Sequence, residues 1–288
     1  MRPSCRGRRN APPPSDGSSL TRRQHKQAVR SAFDRAAASY DGAAAVQREI
    51  CHRLAGFAAT APCGGTPRRV LDAGCGTGYG LGLLASLCPQ AELFALDFAP
   101  AMLARLASGR PEKTTRGTAP GLVCGDLEAL PLAGGTMDAV WSSLALQWCD
   151  PALALGEIAR VLRPGGVAWL ATLGPATLCE LRAAFAAVDD AEHVIRFHPL
   201  ERWREEAARA GLDEAAAAAP RVHALAPDLR RLLRDIKAIG AHSVGGGPRP
   251  ALTRAHWRRL ESRYEAHRRP DGMLPATYDL ILLALRKR

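Results

Sequence analysis

The chain has 288 residues, of which 47% are hydrophobic, 23% charged and 5% aromatic, a length that holds one catalytic domain with accessories and a sizeable core. No run approaches the roughly 20 apolar residues of a membrane-spanning helix; the longest, Gly165–Gly174 and Leu280–Leu285, exclude a helical membrane protein and predict a soluble chain. The formal charge of +11 is uneven, with eight Arg/Lys against Asp16 alone in residues 1–30 and ten against four acids in 249–288, so the centre carries −2 and a long nucleic-acid groove is disfavoured.

Residues 1–20 are rich in Pro, Arg, Ser and Gly and poor in large apolar side chains. They cannot offset their ordering entropy and are expected to form a disordered basic tail ahead of a single domain over 21–288. Pro12-Pro13-Pro14 spoils the amphipathic helix that a transit peptide needs. From 24 to 60, Val29, Phe33, Ala36, Ala37, Tyr40, Val46, Ile50 and Leu54 fall at helical spacing, interrupted at Asp41-Gly42, which predicts two helices. After the loop Ala61–Pro67, the run Arg69–Gly74 reads as a strand feeding a glycine-rich turn.

Strand-like runs at Glu92–Asp97, Leu122–Cys124, Asp138–Ser142 and Val167–Thr172 then alternate with helical segments at Gly82–Cys88, Pro100–Ala107 and Ala152–Leu162. Such alternation predicts an α/β fold with a doubly wound, mostly parallel sheet covered on both faces, its core spanning 69–172. A helical insert over 175–270 follows, with helices at Leu178–Val188, Pro199–Ala210, Pro227–Ile239 and Thr253–Ala266 and an Ala-rich connector at Asp213–Ala219. A closing strand at Tyr278–Leu285 lies within 274–288.

Cysteines at 5, 51, 63, 75, 88, 124, 149 and 179 form no C-x-x-C pair, and no histidines cluster at ligand spacing. Neither a disulfide framework nor a metal is expected, and free thiols fit a reducing, cytoplasmic compartment.

The segment richest in chemistry is Val70-Leu71-Asp72-Ala73-Gly74-Cys75-Gly76-Thr77-Gly78-Tyr79-Gly80. Gly74, Gly76 and Gly78 permit a tight turn and a close backbone approach to a ligand at a helix N-terminus. A dinucleotide fingerprint wants glycine where this chain has Tyr79, which weakens a nicotinamide oxidoreductase reading. With Asp97 ending the second strand, the arrangement fits a nucleoside whose ribose hydroxyls meet a carboxylate at the sheet's carboxyl edge. Four further signals follow in order: Asp97-Phe98 with Met102, Gly125-Asp126-Leu127-Glu128, Trp141-Ser142-Ser143-Leu144, and Arg160 to Gly166.

Across residues 69–172 this pattern resembles the class I S-adenosylmethionine-dependent methyltransferases. The resemblance implies that Gly74, Gly76 and Gly78 lie beneath the methionine and ribose portions of S-adenosylmethionine. It also implies that Asp97 holds the ribose hydroxyls, that Asp126 and Leu127 lie near the adenine, and that Phe98 and Met102 are its apolar neighbours. The flanks narrow the likeness: Gln27 to Tyr40, Leu144-Ala145-Leu146-Gln147-Trp148-Cys149, Arg196-Phe197-His198-Pro199, Ile236 to Ala241 and Leu274 to Tyr278. Over about 24–288 these resemble the malonyl-carrier-protein methyltransferases of biotin synthesis. Ser143 departs from the pattern, which leads one to expect Asn there.

That likeness implies methyl transfer to the free carboxylate of a malonyl thioester carried on acyl carrier protein or coenzyme A. A carboxyl titrating near about 4 is already ionised, so no general base is required and positioning does the work. An anionic acceptor calls for a cation, and Arg196 and Lys237 are the candidates, Arg196 as a two-bond clamp and Lys237 as a point charge. Tyr40 and Trp148 are candidates to close over the methyl donor or pack on the malonyl group. His193, His198 and His242 receive no role. Esterification removes a charge that is costly to desolvate in apolar acyl channels. The basic stretch with Arg254, Arg258, Arg259, Arg263, Arg268 and Arg269 is a candidate docking face for an acidic carrier protein. The expected state is a monomer without nucleic-acid or membrane partners. Methylation of another small acceptor, such as a quinone precursor or a different carboxylic acid, stays open, as does a non-catalytic sensor of the methyl donor.

Overall fold

The computed structural model describes residues 17–61, 63–109, 119–239 and 252–288. In chain order the elements are α1 (Gly17–Ala36), α2 (Tyr40–Ala43), α3 (Ala45–Thr60), β1 (Arg69–Ala73), α4 (Tyr79–Leu87), β2 (Glu92–Asp97), α5 (Pro100–Ser108), β3 (Gly121–Cys124) and β4 (Met137–Ser143). After a 3-10 turn at Leu146–Trp148 come α6 (Pro151–Val161), β5 (Leu162–Leu173), α7 (Cys179–Phe185), α8 (Leu200–Arg209), β6 (Leu212–Ala218), β7 (Arg221–Ala226), α9 (Leu229–Ala238), α10 (Arg254–Glu265) and β8 (Leu274–Lys287). Among the described residues no helix is long and apolar enough to cross a membrane.

The sheet runs β3-β2-β1-β4-β5-β8-β6. Its first five strands are parallel, and β8 is antiparallel to both neighbours. The central strands are buried on both faces, and their side chains sort by the period of two. Val70, Trp141, Trp169, Leu280 and Leu282 join one apolar cluster with Ile50, Leu54 and Leu84 of α3 and α4. Leu71, Val140, Leu170, Ile281 and Leu283 join another with Leu155, Ile158 and Trp203 of α6 and α8. Local signals fix the helix starts. Asp150 accepts from Ala152 N at 2.9 Å with Pro151 in the first turn of α6, and Asp228 accepts from Arg231 N at 2.8 Å at α9.

Three expectations are corrected. Of the expected tail, residues 1–16 lie outside the described residues, but from Gly17 the chain is helical. The break expected at Asp41-Gly42 falls on either side of α2, which contains that pair. Asp213–Ala219 is not a connector: β6 occupies Leu212–Ala218, and an unexpected β7 follows. Leu212 to Ala218 pair with Lys287 to Leu282, and Arg221 to Ala226 pair with Asp279 to Leu274. With Leu280 N donating to Pro220 O at 3.0 Å, β6 and β7 run as one edge strand along β8, interrupted at a residue that has no N–H to give. Alanine favours helix locally; the open backbone edge of the 14-residue β8 overrides that preference.

Candidate active site

The glycine turn leaves β1 and crosses to β2, where Gly74 N and Cys75 N both donate to Leu96 O, at 2.7 and 2.9 Å. Gly74 stands at φ +83°, and a Cβ there would come within 2.2 Å of the Ala145 Cβ, so the turn needs glycine on both counts. Asp97, at the carboxyl end of β2, accepts from Gly76 N at 2.9 Å through one oxygen and from Ala99 N at 2.8 Å through the other. Burial raises its carboxyl above the usual range, while those two amides pull it back. A cavity opens above this edge. Gly74, Gly76, Asp97, Phe98, Met102, Asp126 and Leu127 all line it. Gly78 does not: it sits at φ +89° as the left-handed residue before α4, where a Cβ would meet Leu106 at 2.3 Å.

Several groups in this neighbourhood have no counterpart among the sequence candidates. α1 closes one side of the cavity with Lys26, Val29 and Phe33. Lys26 Nζ binds Asp126 and lies 2.7 Å from Glu128, while Arg22 reaches Asp150 at 2.7 Å, so α1 is pinned to the loops after β3 and β4. Burial works against the Lys26 ammonium, but Asp126 and Glu128 outweigh it and raise its pKa. Asp126 therefore already carries a cation. Asp72 on β1 lines a second small cavity beneath Tyr40 and Thr77. Among the described residues no donor reaches it, and burial, with the charge of Asp97, pushes its carboxyl up to about 8. Gly80 leaves it room, since a Cβ there would come within 3.0 Å of Asp72 Oδ2.

A larger cavity lies next to the first and shares Phe33, Tyr40, Leu144 and Trp148 with it. Leu144 and Leu178, the non-glycine residues with positive φ (56° and 53°) among those described, both line it. Strained backbone of this kind collects at functional sites. Phe33 meets Trp148 edge-on at a centroid distance of 5.7 Å. Burial raises the Tyr40 hydroxyl pKa, so it stays a neutral donor. Lys237 lines the cavity from α9 with its side chain exposed at the rim. The end of that helix reaches the segment before Tyr40, with Ser39 Oγ donating to Ala238 O at 3.5 Å.

Arg196 is not brought into this cavity. Its side chain is 91% exposed and paired with Glu192 at 2.7 Å, because the extended segment turns Val194 and Phe197 inward and Arg196 outward. His193, given no role above, does line the cavity, stacked on Phe185 at 3.7 Å and held by Asp189 at 2.7 Å. His198 packs edge-on to Trp203 instead, and His242 lies outside the described residues. Ser143 accepts a hydrogen bond from Cys51 Sγ at 3.3 Å at the end of β4 and lines the first cavity.

A methyltransferase domain family matches residues 71–170. Malonyl-acyl-carrier-protein O-methyltransferase of Laribacter hongkongensis is 46% identical over 89% of this chain and 87% of its own. The same-named protein of Dechloromonas aromatica is 48% identical over 92% and 96%. The chain belongs to the malonyl-acyl-carrier-protein O-methyltransferase family. Solved structures agree on the fold. The YcgJ protein of Bacillus subtilis superposes with a TM-score of 0.56 at 19% identity, covering 82% of this chain and 99% of that one. A geranyl diphosphate methyltransferase in complex with SAM gives 0.50 at 14% identity, covering 83% and 85%. The family's methyltransferase core thus coincides with the glycine turn, Asp97 and the cavity above them, while Tyr40 and Lys237 lie outside the matched domain.

Proposed function

We propose that the protein transfers a methyl group from S-adenosylmethionine to the free carboxylate of a malonyl thioester, giving its methyl ester, at an early step of biotin synthesis. One observation carries this reading beyond family membership: two cavities share a wall of Phe33, Tyr40, Leu144 and Trp148, so a nucleoside-bound donor and an acceptor meet at one place. The residues fit the donor. Gly74 and Gly76 leave space for its backbone-hugging portion, Asp97 faces the ribose, and Phe98, Met102 and Leu127 flank the adenine with Asp126 at its edge. Asp72, a buried carboxyl without a donor among the described residues, fits the ammonium of the methionine portion. When bound, S-adenosylmethionine supplies an electrophilic methyl group.

The remaining work falls to positioning. The malonyl carboxylate is ionised at neutral pH, since carboxyls titrate near about 4, so no base need touch it. Tyr40 and Trp148 hold it at the shared wall, Lys237 offers charge at the rim, and the apolar lining of Leu173, Leu181 and Ile236 excludes water. Arg196, facing solvent, has no part in this. Arg234 of α9 and Arg254, Arg258 and Arg263 of α10 have no carboxylate partner among the described residues and offer basic side chains to an acidic carrier protein. The test is incubation with methyl-labelled donor and malonyl-carrier protein, malonyl-coenzyme A or free small acids. Labelled methyl ester is expected from the thioesters; no labelled ester from either thioester, or label on free acids alone, overturns the reading.

A further inference from the structure

The seven buried side-chain polar atoms that lack a hydrogen-bond partner among the described residues are not scattered evenly: three of them, Gln47 Oε1, Gln147 Oε1 and Trp148 Nε1, belong to residues lining the acceptor cavity. Two other polar side chains of that wall are engaged. Thr177 Oγ1 accepts from Asp279 N at 3.1 Å, and His193 is bound to Asp189. A buried donor or acceptor without a partner costs about 1–3 kcal/mol, so such a cluster in a cavity wall marks groups kept for an occupant.

The chemistry of the three atoms is specific. Gln147 donates its side-chain nitrogen to Leu144 O at 2.6 Å, which fixes the amide orientation and leaves Oε1 as an acceptor. Trp148 Nε1–H can only donate, and its ring belongs to the wall shared with the donor cavity. The occupant must therefore offer an acceptor at the methyl-transfer end and an N–H farther along. A thioester with a carboxylate at one end and a secondary amide in its carrier arm has that order of groups.

We propose that Trp148 Nε1–H binds the acceptor carboxylate and that Gln147 Oε1 binds an amide N–H of the thioester's arm, so the cavity selects amide-bearing thioesters over simple ones. This rests on the malonyl reading above and adds a specificity site to it. A neutral N–H also suits a nucleophile, because it orients the carboxylate without neutralising the charge that attacks.

The test crosses two substitutions with three acceptors: malonyl-coenzyme A, the malonyl thioester of N-acetylcysteamine with one amide, and malonyl ethyl thioester with none. Gln147→Met is expected to lower kcat/KM about tenfold for the two amide-bearing acceptors, the scale of one net hydrogen bond, and less than twofold for the ethyl thioester. Trp148→Phe, which keeps an aromatic ring and removes the N–H, is expected to lower kcat/KM for all three while the Kd for S-adenosylhomocysteine stays within twofold, which also reports folding. An equal loss by Gln147→Met on all three acceptors overturns the amide site. A Trp148→Phe loss that tracks weaker S-adenosylhomocysteine binding overturns the carboxylate contact. Failure of the wild-type protein to esterify any of the three removes the malonyl reading itself.

Discussion

Asp72 gives the sharpest quantitative consequence of the site. It is 2% exposed on β1, and burial together with the charge of Asp97 moves its carboxyl from 3.8 to about 8. At pH 7 the ligand-free native state holds this proton while the unfolded chain has released it. The native state therefore loses stability relative to the unfolded one as pH rises from about 4 to about 8, and the loss is constant above that. At 1.36 kcal/mol per pH unit, the interval up to pH 7 corresponds to about 4 kcal/mol. Asp72→Asn keeps the shape and removes the titration. Its melting temperature relative to wild type should climb with pH, from near zero at pH 4 to a gain on the order of 10 °C at pH 7, using about 2–4 °C per kcal/mol for a chain of this size. Thermal melts of both ligand-free proteins between pH 4.5 and 8.5 measure it. The same variant should bind S-adenosylhomocysteine at least about tenfold more weakly, a lost charged contact being worth about 1.5–3 kcal/mol. A melting difference that does not change with pH refutes the burial argument, whatever the binding shows.

Lys237→Met should raise KM for malonyl-coenzyme A about tenfold, a lost contact to a charged group, leaving S-adenosylhomocysteine affinity unchanged, whereas Arg196→Ala should leave both alone; steady-state kinetics separate the two. Gly74→Ala forces a Cβ to within 2.2 Å of Ala145 at φ +83°, and strain plus overpacking should destabilise the fold by about 2–5 kcal/mol, read by denaturant melts. Arg234→Glu combined with Arg258→Glu should raise KM for a malonyl-carrier protein about tenfold at low salt, a gap that narrows as salt is added, with malonyl-coenzyme A unaffected within twofold.

The glycine turn and Asp97 were legible in the sequence because their chemistry is local. A turn that needs φ > 0 must carry glycine, and a carboxylate ending a strand sits at the sheet edge wherever the strand goes. The parallel strands were legible for a similar reason, since their apolar runs reflect burial on both faces. Asp213–Ala219 was not, because alanine has no strand signal and only the unpaired edge of β8 makes it one. Lys26, Asp72, Gln47 and Gln147 carried no signal by spacing. Nothing in the order of residues tells that α1 folds back across the sheet or that, among the described residues, Asp72 meets no donor and Gln147 Oε1 has no partner.

Arg196 and Lys237 mark the same boundary from the other side. Both are cations in segments that match the family, and sequence treats them alike. The chain itself determined the half of the candidate site around the glycine turn and Asp97, where backbone conformation and strand ends dictate chemistry. Tertiary structure alone decided the lining of the neighbouring cavity, because which face of a loop or helix turns inward depends on the apolar neighbours it packs against, here Val194 and Phe197 beside Arg196 and Leu233 and Ile236 beside Lys237.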